Sequence, residues 1–160
     1  MVIHEVSGNL LDSDAQTLVN TVNCVGAMGK GIALEFRKRF PAMCADYAAK
    51  CRAGQVVLGR PYLYKPLFPP YVLNFPTKGH WRSPSRLVDI EAGLDWLTRH
   101  YEEWGITSLA VPALGCGNGG LEWSAVEPVL YRYLDRLTVP IELYPPQGLT
   151  PAQLRQDVSI

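Results

Sequence analysis

Two glycine-rich segments are the first residues here whose spacing could do chemistry: Gly26-Ala-Met-Gly-Lys-Gly31 and Gly115-Cys-Gly-Asn-Gly-Gly120. Each follows a short apolar run and precedes a helical pattern. Glycine allows positive φ and close approach, so bare backbone N–H groups and a helix N-terminus can together cradle a phosphate. Two such loops in a small chain suggest a diphosphate held from both sides, with two structural turns as the alternative. Known fingerprints do not fit. Gly26-x-x-Gly29-x-Gly31 is not the dinucleotide pattern G-x-G-x-x-G, and Lys30 is followed by Gly31 where a Walker loop needs Ser or Thr. Just upstream, Asn20 and Asn23 end an apolar run. Their amides either offer donors and acceptors to sugar hydroxyls or satisfy the backbone of the loop.

The elements that must position these loops read as an α/β alternation, with short β-branched runs between longer helical patterns. Strands are expected over residues 2–6, 17–22, 56–64, 71–75, 108–111 and 141–144. Helices are expected over 31–40, from Pro41 to near Gly54, over 87–104 and over 124–137. Leu87, Ile90, Leu94, Leu97 and Tyr101 fall three or four apart, and Gly105 stops that helix. Pro41 can open the second helix, and Pro128 is expected in the early turns of the last, where proline costs least.

Gly8-Asn-Leu10, Leu18-Val-Asn-Thr-Val-Asn23, the first glycine loop and Val111-Pro-Ala-Leu-Gly-Cys-Gly117, in this order, resemble the macrodomains, α/β/α modules that bind ADP-ribose. The resemblance covers residues 1–146 and implies a three-layer fold around a central mixed sheet. Residues 147–160 then read as a tail or the start of a linker to a further domain. Gly26-Ala-Met-Gly-Lys-Gly-Ile-Ala33, Asn74-Phe-Pro-Thr-Lys78 and Leu121-Glu-Trp123 are similar to the glycohydrolase branch of the terminal ADP-ribose hydrolases and the bacterial DarG-type antitoxins, the latter more closely.

That resemblance implies removal of single ADP-ribose groups from thymidine in single-stranded DNA, opposing a cognate DNA ADP-ribosyltransferase toxin. It puts adenine at Gly8, Asn9 and Leu10, with Tyr144, Pro145 and Pro146 nearby, and the diphosphate between Gly29, Lys30, Gly31, Ile32 and Leu114, Gly115, Cys116, Gly117, Asn118, Gly119. Asn20 and Thr21 would face the distal ribose, beside Thr77 and the catalytic Lys78, and Asn23 stays a ligand candidate from its place at the strand end. No metal or cofactor is expected. Two departures matter: Asn9 stands where many macrodomains have Asp, and Gly119 where the terminal ADP-ribose hydrolases have an acid. The alternatives are a hydrolase of ADP-ribose esters on Asp or Glu, and a reader that binds without cleaving.

Lysine suits an anomeric carbon, because an unprotonated amine can attack it and form a Schiff base. Its plainer use is as a point charge on phosphate. With no acid at Gly119, His80 is the first candidate to move protons and Glu122 the second. The carboxylate pair usual in glycoside hydrolysis is not recognisable. Trp81 with Arg82 and Arg86 suggests a nucleic-acid strand, a base on the indole and guanidiniums on phosphates, unless Trp81 merely packs under its own loop.

Composition bounds these readings. The chain has 160 residues, 15 Lys+Arg and 15 Asp+Glu, the size and balance of one ordinary domain. Zero net charge argues against binding DNA or membrane by bulk electrostatics, so affinity is expected to come mainly from ADP-ribose. The neutrality is a cancellation: residues 47–88 hold seven basic residues and no acid, residues 89–127 seven acids and one base. The acidic block is either a solvated helix face or a surface turned from the nucleic acid. Cys24, Cys44, Cys51 and Cys116 form no C-x-x-C pair and read as reduced thiols. Without a signal-peptide pattern or an apolar run of ~20 residues, a cytoplasmic protein with no membrane partner is expected.

Overall fold

Six strands form one sheet in the order β1-β6-β5-β2-β4-β3: β1 (Ile3–Glu5), β2 (Thr17–Asn23), β3 (Tyr62–Tyr64), β4 (Tyr71–Lys78), β5 (Leu109–Pro112) and β6 (Ile141–Tyr144). All neighbours pair in parallel except β3 with β4, which makes the sheet mixed. The helices are α1 (Gly31–Arg39), α2 (Pro41–Arg52), α3 (Leu87–His100) and α4 (Trp123–Leu134). The structure is a computed structural model that describes residues 3–146. The expected tail or linker at 147–160 lies outside the described residues.

Strand alternation sorts the core into two layers. Leu18, Val22, Val72 and Ala110 face α1 and α2, packing with Phe36, Met43 and Tyr47. Val19, Leu73, Phe75, Leu109 and Val111 face the other way, onto Ile90, Leu94 and Leu97 of α3 and Val126 and Leu130 of α4. The inner strands are thus buried on both sides, as expected of an α/β/α sandwich, while the edge strands β1 and β3 are partly exposed.

Several boundaries differ from the sequence reading, each for a tertiary reason. Of residues 56–64 only Tyr62–Tyr64 pair, against Val72–Asn74, because the turn at Gly59 (φ 82°) and Pro61, which has no amide to donate, end the run before them. Strand β4 runs past Pro76 to Lys78, since β3 has ended opposite Asn74 and leaves that side of β4 open. The register with β2 slips between Val22 and Asn23, so Thr77 is an extra residue in β4. That bulge re-aims the end of the strand. Helix α3 stops at His100, before the turns leading to Gly105, and α4 ends at Leu134. Pro128, expected in the early turns, is the sixth residue of α4, where it removes an amide from the exposed Ser124 carbonyl. One-turn 3₁₀ helices at Leu10–Asp12 and Gly117–Gly119 were not expected.

In the acid-rich block Asp95 pairs with Arg99, while Asp89 and Glu91 pair with Arg86 and Arg132 from outside it. All four cysteines are free thiols. Among the described residues no helix is long and apolar enough to cross a membrane.

Candidate functional site

A cleft of about 980 Å³ lies across the carboxyl ends of the parallel strands. The first glycine loop leaves β2 and the second leaves β5, two adjacent strands whose onward crossovers lead to β3 and to β6, on opposite sides. Open α/β sheets take ligands at such a divergence.

At one end stand Gly8, Asn9, Leu10 and Tyr144. The Asn9 Oδ1 accepts the Leu11 N–H at 3.1 Å and so caps the 3₁₀ turn. Tyr144 donates its hydroxyl to Glu142, 3.1 Å away, and Glu142 also accepts from Ser13. In the middle, Gly29, Lys30, Gly31 and Ile32 face Gly115, Cys116, Gly117, Asn118 and Gly119. Lys30 is the N-cap of α1 but makes no side-chain cap, and the first turn holds no acid. The leading amides of α1 therefore stay available to an anion. The two loops meet where the Asn118 Nδ2 lies 3.1 Å from the point a Cβ on Gly31 would occupy.

At the other end Thr21, Thr77, Lys78 and Trp81 line the wall. The bulge puts Thr77 and Lys78 on the cleft together, which strict alternation forbids. Lys78 Nζ donates to the Trp81 carbonyl at 3.0 Å and the Asn118 carbonyl at 3.3 Å, joining the segment after β4 to the second glycine loop.

Of the other expected site residues, most lie off the cleft or serve the backbone. Asn20 is fully buried on the α1/α2 side, its Nδ2 donating to Asn74 Oδ1 at 3.1 Å, and it does not line the cleft. Strand alternation turns it away from Thr21. Asn23 lines the cleft, but its side chain serves the loop. Its Nδ2 donates to the Ala27 carbonyl at 2.9 Å, while its Oδ1 accepts from Val25 N–H and from the Tyr47 hydroxyl. Leu114 is fully buried in the core beside α3 and α4, so the second wall begins at Ala113 and Gly115. His80 is exposed and off the cleft, its Nδ1 accepting the Arg82 N–H at 3.1 Å.

Trp81 is 43% exposed, with the Arg82 guanidinium 4.4 Å over its ring, so it does not pack under its own loop. Arg86 is held by Asp89, and neither Arg82 nor Arg86 lines the cleft. Glu122 is the N-cap of α4 and off the cleft. Burial pushes the Cys116 thiol up to about 11, and the Glu122 carboxylate adds to the shift. Pro145 and Pro146, expected with Tyr144 near the adenine, line the cleft, whereas sequence reasoning missed Leu11, Ala27, Glu35, Pro112 and Ala113 on the wall. Val111-Pro-Ala-Leu-Gly carried the only signal for two of them.

Comparison with known proteins agrees with this geometry. A family model described as Macro domain matches residues 19–130. A DNA ADP-ribosyl glycohydrolase of Mycobacterium tuberculosis is 49% identical over 146 residues, covering 89% of this chain and 42% of the relative. A DNA ADP-ribosyl transferase-DNA ADP-ribosyl glycohydrolase fusion protein of Thermosipho africanus is 41% identical, covering 88% of this chain and 41% of the relative. Among solved structures, the macrodomain of Mycobacterium tuberculosis DarG superposes with a TM-score of 0.87 at 48% identity, covering 91% of this chain and 98% of that one. Thermosipho africanus DarTG in complex with ADP-ribose gives 0.88 at 40% identity, covering 99% and 46%. The chain spans about two fifths of the length of the curated relatives it matches.

Proposed function

This chain belongs to the macrodomain family, and from that premise we propose that it is a DNA ADP-ribosyl glycohydrolase, releasing mono-ADP-ribose from thymidine in single-stranded DNA. The observation that carries the reading is the Lys78 amine at the end of a cleft walled by two bare glycine loops. The proposed ligand runs from adenine at Gly8, Asn9, Leu10 and Tyr144, through a diphosphate between the loops, to a distal ribose beside Thr21, Thr77 and Lys78. The names of the relatives support the same chemistry, and the fused transferase in Thermosipho africanus supports an antitoxin role against a cognate DNA ADP-ribosyltransferase. Trp81, with Arg82 over its ring, is the proposed rest for a neighbouring base. A cytoplasmic location completes the reading.

In the proposed mechanism the bond from C1 to the ring oxygen breaks, that oxygen keeping the electron pair and taking a proton from solvent, and unprotonated Lys78 attacks the electron-poor C1 that is left on the base nitrogen. The bond from C1 to the base nitrogen breaks with its electron pair leaving on thymine, which takes the proton the amine gives up. Water then cleaves the C=N bond, returning Lys78 and free ADP-ribose. To reach C1 the amine must release the Trp81 and Asn118 carbonyls.

The test is a time course of ADP-ribose release from an ADP-ribosylated thymidine oligonucleotide. Lys78→Ala should lower the rate by about 10³-fold or more while melting at the parent temperature and still binding ADP-ribose. Undiminished release by that variant refutes the lysine mechanism. A parent that binds ADP-ribose without releasing it is a reader, and faster release from a matched protein ester makes it an ester hydrolase.

A further inference from the structure

Gly119 is a glycine for a reason its backbone does not supply. Gly115, Gly117 and Gly120 have φ of 76°, 55° and 79°, whereas Gly119 lies outside the left-handed region. An ordinary residue could adopt its conformation. What forbids a side chain there is Ser85. A Cβ on Gly119 would stand 2.9 Å from the Ser85 Cβ and closer still to its Oγ, which real Cβ atoms do not tolerate. Ser85 is 5% exposed, and its Oγ is buried with no hydrogen-bond partner among the described residues. Folded proteins seldom keep such a group without a reason. The Ser85 N–H also donates to the Gly119 carbonyl at 2.9 Å, and its Cβ lies 3.4 Å from the point where a Cβ on Gly115 would stand.

We infer that Ser85 is the positioning residue of the second glycine loop. Its side chain fills the volume behind Gly115 and Gly119, so that the 117–119 turn offers bare backbone to the ligand. The same wedge sets the Asn118 carbonyl where it receives the Lys78 amine at 3.3 Å. One segment reaches the loop twice, with Lys78 at its start and Ser85 near its end. The wedge also explains how this cleft differs from one with an acid at position 119: no carboxylate can enter while Ser85 stands behind the loop, so residues 85 and 119 must change together. This inference deepens the reading of the cleft as an ADP-ribose site and rests on it for its consequence, but the wedge can be tested without ligand.

Four variants test it: Gly119→Ala adds the excluded methyl, Ser85→Gly removes the wedge, Ser85→Gly/Gly119→Ala puts the methyl into the vacated space, and Ser85→Ala keeps the Cβ while discarding the orphaned hydroxyl. Hydrogen exchange is followed for the amides of 115–121, including Gly119 N–H on the Cys116 carbonyl and Leu121 N–H on the Gly115 carbonyl. Exchange in Gly119→Ala should rise about ten- to a hundredfold. The double variant and Ser85→Ala should stay within about threefold of the parent. ADP-ribose affinity, by calorimetry, should follow the same order. Gly119→Ala exchanging like the parent, or the double variant no better than Gly119→Ala, overturns the proposal. If Gly119→Ala alone does not fold, recovery of folding by added Ser85→Gly supports the wedge, and no recovery overturns it. The expected exchange pattern in a parent that fails to bind ADP-ribose would refute the functional reading and leave the wedge standing.

Discussion

Tyr47→Phe isolates one atom that joins core to cleft. Tyr47 is fully buried in α2, and its hydroxyl donates to the Asn23 carbonyl at 2.7 Å and to Asn23 Oδ1 at 2.8 Å. The substitution keeps the ring and its packing and removes only this fork. The Asn23 Oδ1 keeps the Val25 amide, but the Asn23 carbonyl loses the buried hydroxyl. One lost hydrogen bond plus partial orphaning of its acceptor costs about 1–2 kcal/mol. For a chain of this size that is a fall of about 2–8 °C in melting temperature. Because Asn23 holds the first glycine loop through Val25 and Ala27, a ligand must re-order that loop, so ADP-ribose affinity should weaken by up to about 5–30-fold. Urea unfolding and calorimetry read the two effects separately.

The pH dependence supplies a further check. Burial, with Cys51 adding, raises the Tyr47 phenol well above its ordinary value near 10. A raised folded value means stability that is complete below about pH 10 and is lost above it, as the unfolded chain ionises first. The phenylalanine variant lacks that loss, so its deficit against the parent should shrink above about pH 10. Unchanged stability would show that the fork contributes nothing. A stability loss with unchanged affinity would show that Asn23 does not govern the loop.

In α3, a Cβ on Gly93 would lie 2.7 Å from Phe75 Cε1 and closer still to the tip of the ring. Gly93→Ala should therefore destabilise by about 1–3 kcal/mol in urea, against the sign of helix propensity, and a stabilised variant would refute the packing argument. The Cys116 thiol, raised from 9.0 to about 11 by burial and then by Glu122, contributes stability that is complete below about pH 9 and lost between about pH 9 and 11. Cys116→Ser should blunt that loss, and alkylation of Cys116 at pH 8, followed by mass spectrometry, should be slow and slower still with ADP-ribose bound. Rapid alkylation at pH 8 would contradict the buried thiol.

What could be read from the residues was local. The two glycine loops, the helix that Pro41 opens and the three-and-four spacing of α3 depend on neighbours in the chain, and so does the motif order that marks a macrodomain. Sequence alone therefore determined the α/β class, the family and Lys78 as the amine to watch. The rest turns on pairs far apart in the chain. Alternation along β2 and its pairing with β4 sent Asn20 to Asn74 in the core, while Tyr47 from α2 turned the Asn23 side chain to the loop. A register slip against β2 brought Thr77 and Lys78 to the cleft together. Ser85, distant in sequence from the loop it supports, left no trace in the spacing, because excluded volume between non-neighbours has no local signature. Only the folded chain decided which of the expected residues line the cleft and what stands behind residue 119.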